Sequence, residues 1–182
     1  PYKPGNFTKS DIIFDDGSVV EDIPMRYNLY TMQMEFKKNG RAQVLGNNEI
    51  INRIEFPDAT YLYYSYEWGD RVKKDFLRVI EDGKFALYVL EGVDFLKAKE
   101  PENPYDSYRP PKFRRKPDVY LLRPPGKPAF QVKLRRRKLL KAFAGHRSKL
   151  KSYVKEEDLN LRKEADAAKL VSYYNTLVQE DK

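Results

Sequence analysis

The residues best suited to chemistry in this chain are lysines and arginines, and they crowd into one segment. Residues 112–155 carry sixteen Lys or Arg and one acid, Asp118, although the net charge of the whole chain is only +8. Lys and Arg at this density neutralise phosphate or carboxylate groups, and Arg adds bidentate geometry. The pattern predicts electrostatic docking on an anionic partner, or on the acidic remainder of the chain itself.

Two clusters concentrate the charge, and a Pro-rich stretch before the first adds tyrosines. The first cluster is Lys112, Arg114, Arg115 and Lys116. The second cluster is Lys133, Arg135, Arg136, Arg137, Lys138 and Lys141. Except for Lys133, these cations are our candidate partner-binding residues, together with Tyr105, Tyr108 and Arg109. Phosphates, acidic lipid or lipopolysaccharide headgroups and acidic protein surfaces all suit them, and a solvated surface without a partner is the plain alternative.

Other residue types give weaker signals. The tyrosines and the tryptophan of the run 60–68 could stack on bases or sugar rings, but cross-strand packing explains them as well. The acid pairs Asp15/Asp16 and Glu21/Asp22 lack the ligand spacing of a calcium loop, and turn chemistry accounts for them. The single histidine, His146, has no partner motif and is expected to be structural.

No residue set in the sequence spells out a reaction. The chain has no Cys, no Gly-rich phosphate loop, no nucleophile elbow and no metal-ligand constellation. We therefore expect no catalytic residue, no metal and no cofactor, and we favour a protein that is not an enzyme. The enzymatic alternative is a glycan-processing protein with two carboxylates across a cleft.

The elements that position these residues are predicted to be strands first and helices last. Apolar alternation with Asp-Gly and Asn-Gly turns predicts a β-meander over residues 10–56, with Asp16-Gly17 as a type I′ turn. Further strands are expected at Thr60–Trp68 and Phe85–Leu90, and the stretch 72–80 fits a strand or a helix. Helical patterns begin at Lys138, at His146 and at Arg162, the last capped by Asn160.

This order of elements predicts a mostly β fold with C-terminal α structure. We expect an antiparallel β-meander that forms a sandwich or a curved half-barrel, with two or three helices packed at one face or end. The predicted parts are an antiparallel β part (1–98), a Pro/Arg-rich arm (99–117), a final β-hairpin of the same domain (118–134) and a helical segment (138–182). The apolar runs are too short for a membrane-spanning helix.

Two stretches of the chain resemble a group of bacterial proteins. Residues 11–36 are similar to a strand–DG–strand pattern followed by PxRYNLY, and residues 139–177 are similar to a helical pattern that ends in YYNxL. Both patterns occur in uncharacterised, signal-peptide-bearing proteins of Gram-negative envelopes. The resemblance implies a periplasmic or outer-membrane-associated protein after signal-peptide removal, and it favours Pro1 as a mature terminus over the alternative of a trimmed boundary. It carries over no functional residue, and the arm resembles the group least.

Together these observations predict a non-enzymatic binding or assembly subunit of an envelope complex, docking through the Pro-rich arm and a basic face. The expected partners are other periplasmic or outer-membrane proteins, with an anionic lipid or lipopolysaccharide surface as a second candidate. The alternative function is nucleic-acid binding through residues 112–155. Against that alternative stand the acidic first part of the chain and the absence of known nucleic-acid-binding signatures.

Overall fold

The protein folds into two units, each built from two stretches of the chain. The computed structural model describes residues 1–103, 105–143 and 145–180. Unit 1 comprises Pro1–Asp58 and Glu91–Asp118, and unit 2 comprises Ala59–Leu90 and Val119–Lys182. Strands dominate and the helices come last, so the predicted mostly β class with C-terminal helices is confirmed.

The described residues form twelve strands and three helices. In chain order the strands are β1 (Tyr2–Phe14), β2 (Val19–Asn28), β3 (Gln33–Lys38), β4 (Arg41–Val44), β5 (Ile51–Phe56), β6 (Ala59–Trp68), β7 (Arg71–Glu81), β8 (Ala86–Leu90), β9 (Val93–Leu96), β10 (Lys112–Arg115), β11 (Val119–Arg123) and β12 (Phe130–Val132). The helices are α1 (Arg136–Ala142), α2 (Arg147–Glu156) and α3 (Glu164–Glu180).

Unit 1 holds an antiparallel set of five strands in the order β5-β1-β2-β3-β4. The strands follow each other as a meander from β1 to β4, but β5 returns to lie beside β1, where Ile54 faces Ile12 in the register. Both isoleucines are buried, with Met25, Tyr27 and Met34 on the neighbouring strands. Burial of these side chains accounts for the return of the chain, because pairing β5 with β1 removes its apolar residues from water.

The turns of unit 1 differ from the sequence prediction at one position. Asn39 and Gly40 both have positive φ, at 52° and 77°, as a type I′ turn requires. In the pair Asp16-Gly17 only Gly17 has positive φ, and the Phe14 N–H donates to the Ser18 carbonyl at 2.9 Å. The predicted type I′ turn at Asp16-Gly17 is therefore wrong, since a longer turn with a single left-handed glycine joins β1 to β2.

The predicted arm also contains regular structure. Strand β10 pairs antiparallel with β9, with Phe113 opposite Phe95, and an isolated bridge joins Lys99 to Arg109. The arm predicted over residues 99–117 therefore contains a strand at 112–115 that the sequence pattern did not predict. KFRR has no apolar alternation, and its pairing depends on a partner strand about 18 residues away.

Unit 2 places its helices on one face of an antiparallel set with the order β12-β11-β8-β7-β6. Leu87 and Leu122 share a buried cluster with helix residues such as Leu139, Leu170 and Leu177. Their neighbours along the strands, including Tyr88 and Leu121, belong to a second cluster with Tyr66 and Ala129. This alternation follows the two-residue period of a strand and confirms that the helices pack at one face.

Two other expectations for unit 2 are resolved by the structure. The ambiguous stretch 72–80 lies in β7, whose Arg71 to Arg78 pair in register with β6. The last helix begins at Glu164 rather than at Arg162, because Asn160 accepts a hydrogen bond from the Arg162 N–H at 3.2 Å in a turn before the helix. No helix in the described ranges is long and apolar enough to cross a membrane.

The set of five strands in unit 2 curves, so that its two ends approach each other. The Ala129 N–H donates to the Ser65 carbonyl at 3.0 Å, and the Ala129 carbonyl accepts from the Glu67 N–H at 2.8 Å. These bonds bring the chain entering β12 against β6, although four strand steps separate β12 from β6 in the sheet order. A flat sheet could not make this contact, so the curvature positions β12 and the helix that follows it.

Candidate anionic-partner interface

The first basic cluster is largely compensated within unit 1. Arg114 and Lys116 contact the carboxylate of Asp94 at 3.6 and 3.1 Å, and Arg115 contacts Asp118 at 3.2 Å. The Lys116 hydrogen bond holds the pKa of the Asp94 carboxyl below its usual value of 3.8. The sequence predicted all four cations of this cluster as partner-binding residues, but three of them form ion pairs with carboxylates of unit 1.

Arg115 has a second and more buried partner. The Glu91 side chain is 1% exposed, and its Oε1 accepts from Arg115 Nη2 at 2.6 Å and from Lys3 Nζ at 2.9 Å. Burial works against the charge of Arg115, but the hydrogen bonds and charges of Glu91 and Asp118 together outweigh that effect, and the pKa of Arg115 is raised. A buried carboxylate requires such compensation, so Arg115 is committed to the structure of unit 1 rather than to a partner.

The tip of the arm carries the predicted tyrosines on its surface. The Tyr105 side chain is 97% exposed, and Tyr108 is also exposed. The Asn103 side chain accepts from the N–H groups of Tyr105 and Asp106, an Asx-type turn that gives the tip a local shape. Arg109 is held through its backbone, which exchanges two hydrogen bonds with Lys99. The arm thus presents aromatic residues on a partly structured hairpin.

An exposed aromatic cluster lies at the base of the same hairpin. The rings of Tyr30 and Phe113 are 5.4 Å apart, and those of Phe95 and Phe113 are 5.3 Å apart. All three side chains are exposed large hydrophobic groups. No local sequence pattern marks this aromatic cluster, because its members come from three separate places in the chain.

The second basic cluster is different, because its cations have no ion-pair partner among the residues that the structure describes. Leu139 and Leu140 on α1 are buried, so the amphipathic helix directs the surrounding cations outward. None of the cluster residues forms an ion pair with a residue in the described part of the chain, and all are exposed. These residues are Lys133, Arg135, Arg136, Arg137, Lys138 and Lys141. The structure therefore brings together one of the two predicted clusters as free positive charge.

Several of these cations lie at the N-terminal end of α1, where they are electrostatically unfavourable. Arg135 is the N-cap residue of the helix, and the first turn contains no acid. The N-terminal end of a helix carries partial positive charge, so cations there are unfavourable by a few tenths of a kcal/mol each. An anion supplied from outside the chain would relieve both this repulsion and the mutual repulsion of the cluster.

A cleft of about 290 Å³ adjoins the second cluster, between β12 and α1. Three lysines of the cluster line it, together with half-buried apolar residues that continue into the core of unit 2. The lysines are Lys133, Lys138 and Lys141, and the apolar residues are Phe130, Val132 and Ala142. The sequence signalled the lysines but not the cleft, because a gap between a strand and a helix has no sequence pattern.

Most of the remaining residues considered from the sequence make contacts within the fold. Asp16 accepts hydrogen bonds from the N–H and the hydroxyl of Ser18 at 2.9 and 2.6 Å, and these bonds lower the pKa of Asp16. A lowered pKa is the opposite of what a general acid needs. Tyr61 and Tyr66 are buried in packing, whereas Trp68 at the end of β6 is exposed. Among the described residues, no cluster of three or more potential metal ligands is present.

His146 lies where α2 begins. Its backbone has φ 36°, in the left-handed region, and its ring is 6.0 Å from that of Tyr174. The position before a helix and the ring contact account for His146 as a structural residue.

Comparison of the chain with protein-family models, curated proteins and solved structures found no match.

Proposed function

We propose that this protein is a non-enzymatic binding subunit that docks an acidic surface of a partner protein against the second basic cluster. The observation that carries the proposal is a group of six exposed cations beside a largely apolar cleft, none of them paired with a carboxylate in the described part of the chain. The first cluster shows what this chain does with cations that serve its own fold, since those are paired. The envelope setting of the partner rests on the resemblance of residues 11–36 and 139–177.

Charge alone would make such docking fast and selective rather than tight. Each exposed ion pair contributes about 0–1 kcal/mol, whereas a basic face raises the association rate for an acidic partner. The exposed tyrosines of the arm, Tyr105 and Tyr108, supply the amphipathic side chains that are enriched at protein interfaces. We assign the arm a second contact with the partner, made independently of the basic cluster.

A pull-down from the native cells in mild detergent tests the proposal. The variant R135Q/R136Q/R137Q/K138Q removes four charges of the cluster, and R147Q/K149Q/K151Q/K155Q removes four exposed cations of α2. We expect the first variant to recover at least about tenfold less envelope protein than the unaltered protein does. The second variant should show a much smaller decrease. Equal losses would assign the binding to net charge, and full recovery with the first variant would refute the proposal.

Nucleic-acid binding is the second candidate, and the density of arginines in the cluster favours it. Arg135–Lys138 could follow a phosphate backbone, as in single-strand binding grooves. Base stacking has less support, because the cluster consists of Lys and Arg, and Phe130 in the adjoining cleft is half-buried. Recovery of nucleic acid or ribosomal proteins in the same pull-down, lost at high salt, would favour this candidate over an acidic protein partner.

A further inference from the structure

The cleft between β12 and α1 combines two chemistries that a purely electrostatic surface does not need. Lys138 and Lys141 are three residues apart on α1, so their side chains rise on the same face of the helix. Lys133 approaches from the end of β12. Apart from Gln131, the rest of the lining is apolar, so a ligand that fills the cleft should combine negative charge with an apolar part.

The size and shape of the cleft limit that apolar part. Its volume of about 290 Å³ lies at the low end for ligand pockets, and it is open to solvent. One aromatic or branched aliphatic side chain fits this space. Phe130, Val132 and Ala142 are only half-buried, so a side chain inserted among them would complete the core at this edge of unit 2.

The backbone of β12 indicates that the ligand is a peptide. Ala129 directs its N–H and carbonyl toward β6, away from β11, as its bonds to Ser65 and Glu67 show. Backbone groups alternate along a strand, so Gln131 directs its N–H and carbonyl to the same side as Ala129. Gln131 also lines the cleft and is exposed. Within the described ranges β12 forms a ladder with β11, and its recorded pairing toward β6 is the single bridge between Ala129 and Tyr66. An extended peptide can therefore bond to Gln131 where a lipid tail cannot.

We propose that this cleft recognises an acidic segment of the partner protein in which one aromatic or aliphatic side chain is flanked by carboxylates. The apolar side chain enters between Val132 and Ala142, and the flanking acids meet Lys133, Lys138 and Lys141. This inference rests on the proposed function and deepens it, because it names the feature of the partner that the basic cluster binds. The arginines of the cluster then guide the approach of the segment.

Fluorescence anisotropy with two synthetic peptides tests the inference on the full chain. Both have the form Gly-Asp-Glu-Asp-Xaa-Glu-Asp-Gly, with Phe or Ser at Xaa. We expect the Phe peptide to bind about tenfold more tightly than the Ser peptide, since its ring leaves water. The variant A142F, which fills the cleft and keeps every charge, should abolish that difference, and K138Q/K141Q should weaken both peptides.

Several outcomes would overturn the inference. Equal affinity of the two peptides for the unaltered protein would show that the cleft takes no side chain, and this comparison needs no variant to fold. Displacement of both peptides by vesicles with equal parts of phosphatidylglycerol and phosphatidylcholine, but not by phosphatidylcholine alone, would point to a lipid surface if the peptides bind equally. An undiminished preference for Phe in A142F, checked for folding by its melting temperature, would place the site elsewhere.

The proposed function can survive the failure of this inference. If A142F retains the native partner in the pull-down while R135Q/R136Q/R137Q/K138Q loses it, the basic cluster binds the partner without the cleft. If both variants retain the partner, the proposed function itself is wrong. The two statements therefore have separate tests.

Discussion

Asn175 shows how much one buried side chain contributes to unit 2. Its Oδ1 accepts from the Phe85 N–H at 2.8 Å and its Nδ2 donates to the Phe85 carbonyl at 2.9 Å. The side-chain amide therefore pairs with the backbone of the segment before β8 as a neighbouring strand would. The asparagine of the YYN motif at 173–175 thus ties α3 to the sheet.

We predict that Asn175→Ala lowers the free energy of unfolding by about 2–3 kcal/mol, because two backbone groups lose their partner where water has little access. Chemical denaturation measures this loss. Thr176→Ala is the matched control, since its exposed hydroxyl bonds only to the Tyr173 carbonyl within α3. A loss with Asn175→Ala no larger than with the control would contradict this role.

Ionisation of the buried Tyr88 makes the folded protein less stable as the pH becomes alkaline. Burial raises the pKa of Tyr88 to about 12, although the hydrogen bond from Arg123 opposes the shift. The pKa is higher in the folded state, so the contribution of Tyr88 is fully present below about pH 10 and declines as the pH rises toward 12. The unfolded chain ionises first and is favoured in this window.

We predict that Tyr88→Phe removes part of the alkaline loss of stability, about 1.4 kcal/mol at pH 11 relative to pH 9. Urea denaturation of both proteins at the two pH values measures the difference. Tyr105→Phe serves as the control, because that side chain is 97% exposed and should leave stability unchanged at either pH. Parallel pH curves for Tyr88→Phe and the unaltered protein would speak against the assignment.

At the scale of elements, the β9–β10 hairpin depends on charge as much as on its backbone pairing. Asp94 lies opposite Arg114 in the register and also contacts Lys116, while Arg115 reaches the buried Glu91. Five charged side chains thus hold a two-stranded sheet, a structure that is marginal by itself. Three of the cations predicted from the sequence to bind a partner, Arg114, Arg115 and Lys116, therefore form ion pairs that hold this hairpin.

We predict that Lys116→Gln raises the pKa of the Asp94 carboxyl toward 3.8, because the hydrogen bond that Lys116 donates is the largest cause of its lowering. Carboxyl carbon NMR shifts measured against pH give the midpoint. Ionised Asp94 stabilises the hairpin fully above the unfolded pKa of about 3.8, and this contribution is lost as the pH falls through the lower pKa of the folded state. Lys112→Gln, which removes a cation of the same strand without an ion pair to the described residues, should leave the midpoint in place.

Across the whole molecule, the charge that the sequence concentrates in residues 112–155 separates into two kinds. Three of the four cations of the first cluster are matched by acids such as Glu91 and Asp94. Those of Lys133–Lys141 are matched by no acid in the described ranges. The net charge of +8 therefore understates the local field beside α1, and solution conditions that screen charge will act there first.

Salt titrations should distinguish an acidic partner with an apolar anchor from nucleic acid. If six phosphates are neutralised, the logarithm of the association constant for oligo(dT) falls against the logarithm of salt with a slope of about −4. At about 1 M salt, where charges are screened within about 3 Å, we expect no binding of oligo(dT). The Phe peptide should still bind more tightly than the Ser peptide there, and oligo(dT) that remains bound would indicate stacking on the protein.

Local pattern was sufficient for the order and type of most elements. The alternation in 60–68 and the turns at Asn39-Gly40 and Asp82-Gly83 identify strands, and the apolar spacing after residue 138 identifies helices. These signals depend on neighbours within a few residues, so the sequence by itself determines a β-rich chain that ends in helices. It also determines that positive charge is concentrated after residue 111.

Only the tertiary structure decided which of those charges are free. Arg115 and Arg136 have the same chemistry and lie in similar basic runs, but Arg115 meets Glu91 across 24 positions of the chain and Arg136 projects from an amphipathic helix. The same holds for β5 beside β1, for β10 beside β9 and for the cleft next to α1. Each depends on long-range contacts whose stabilisation comes from burial and charge pairing, and local sequence does not encode which distant residues will meet.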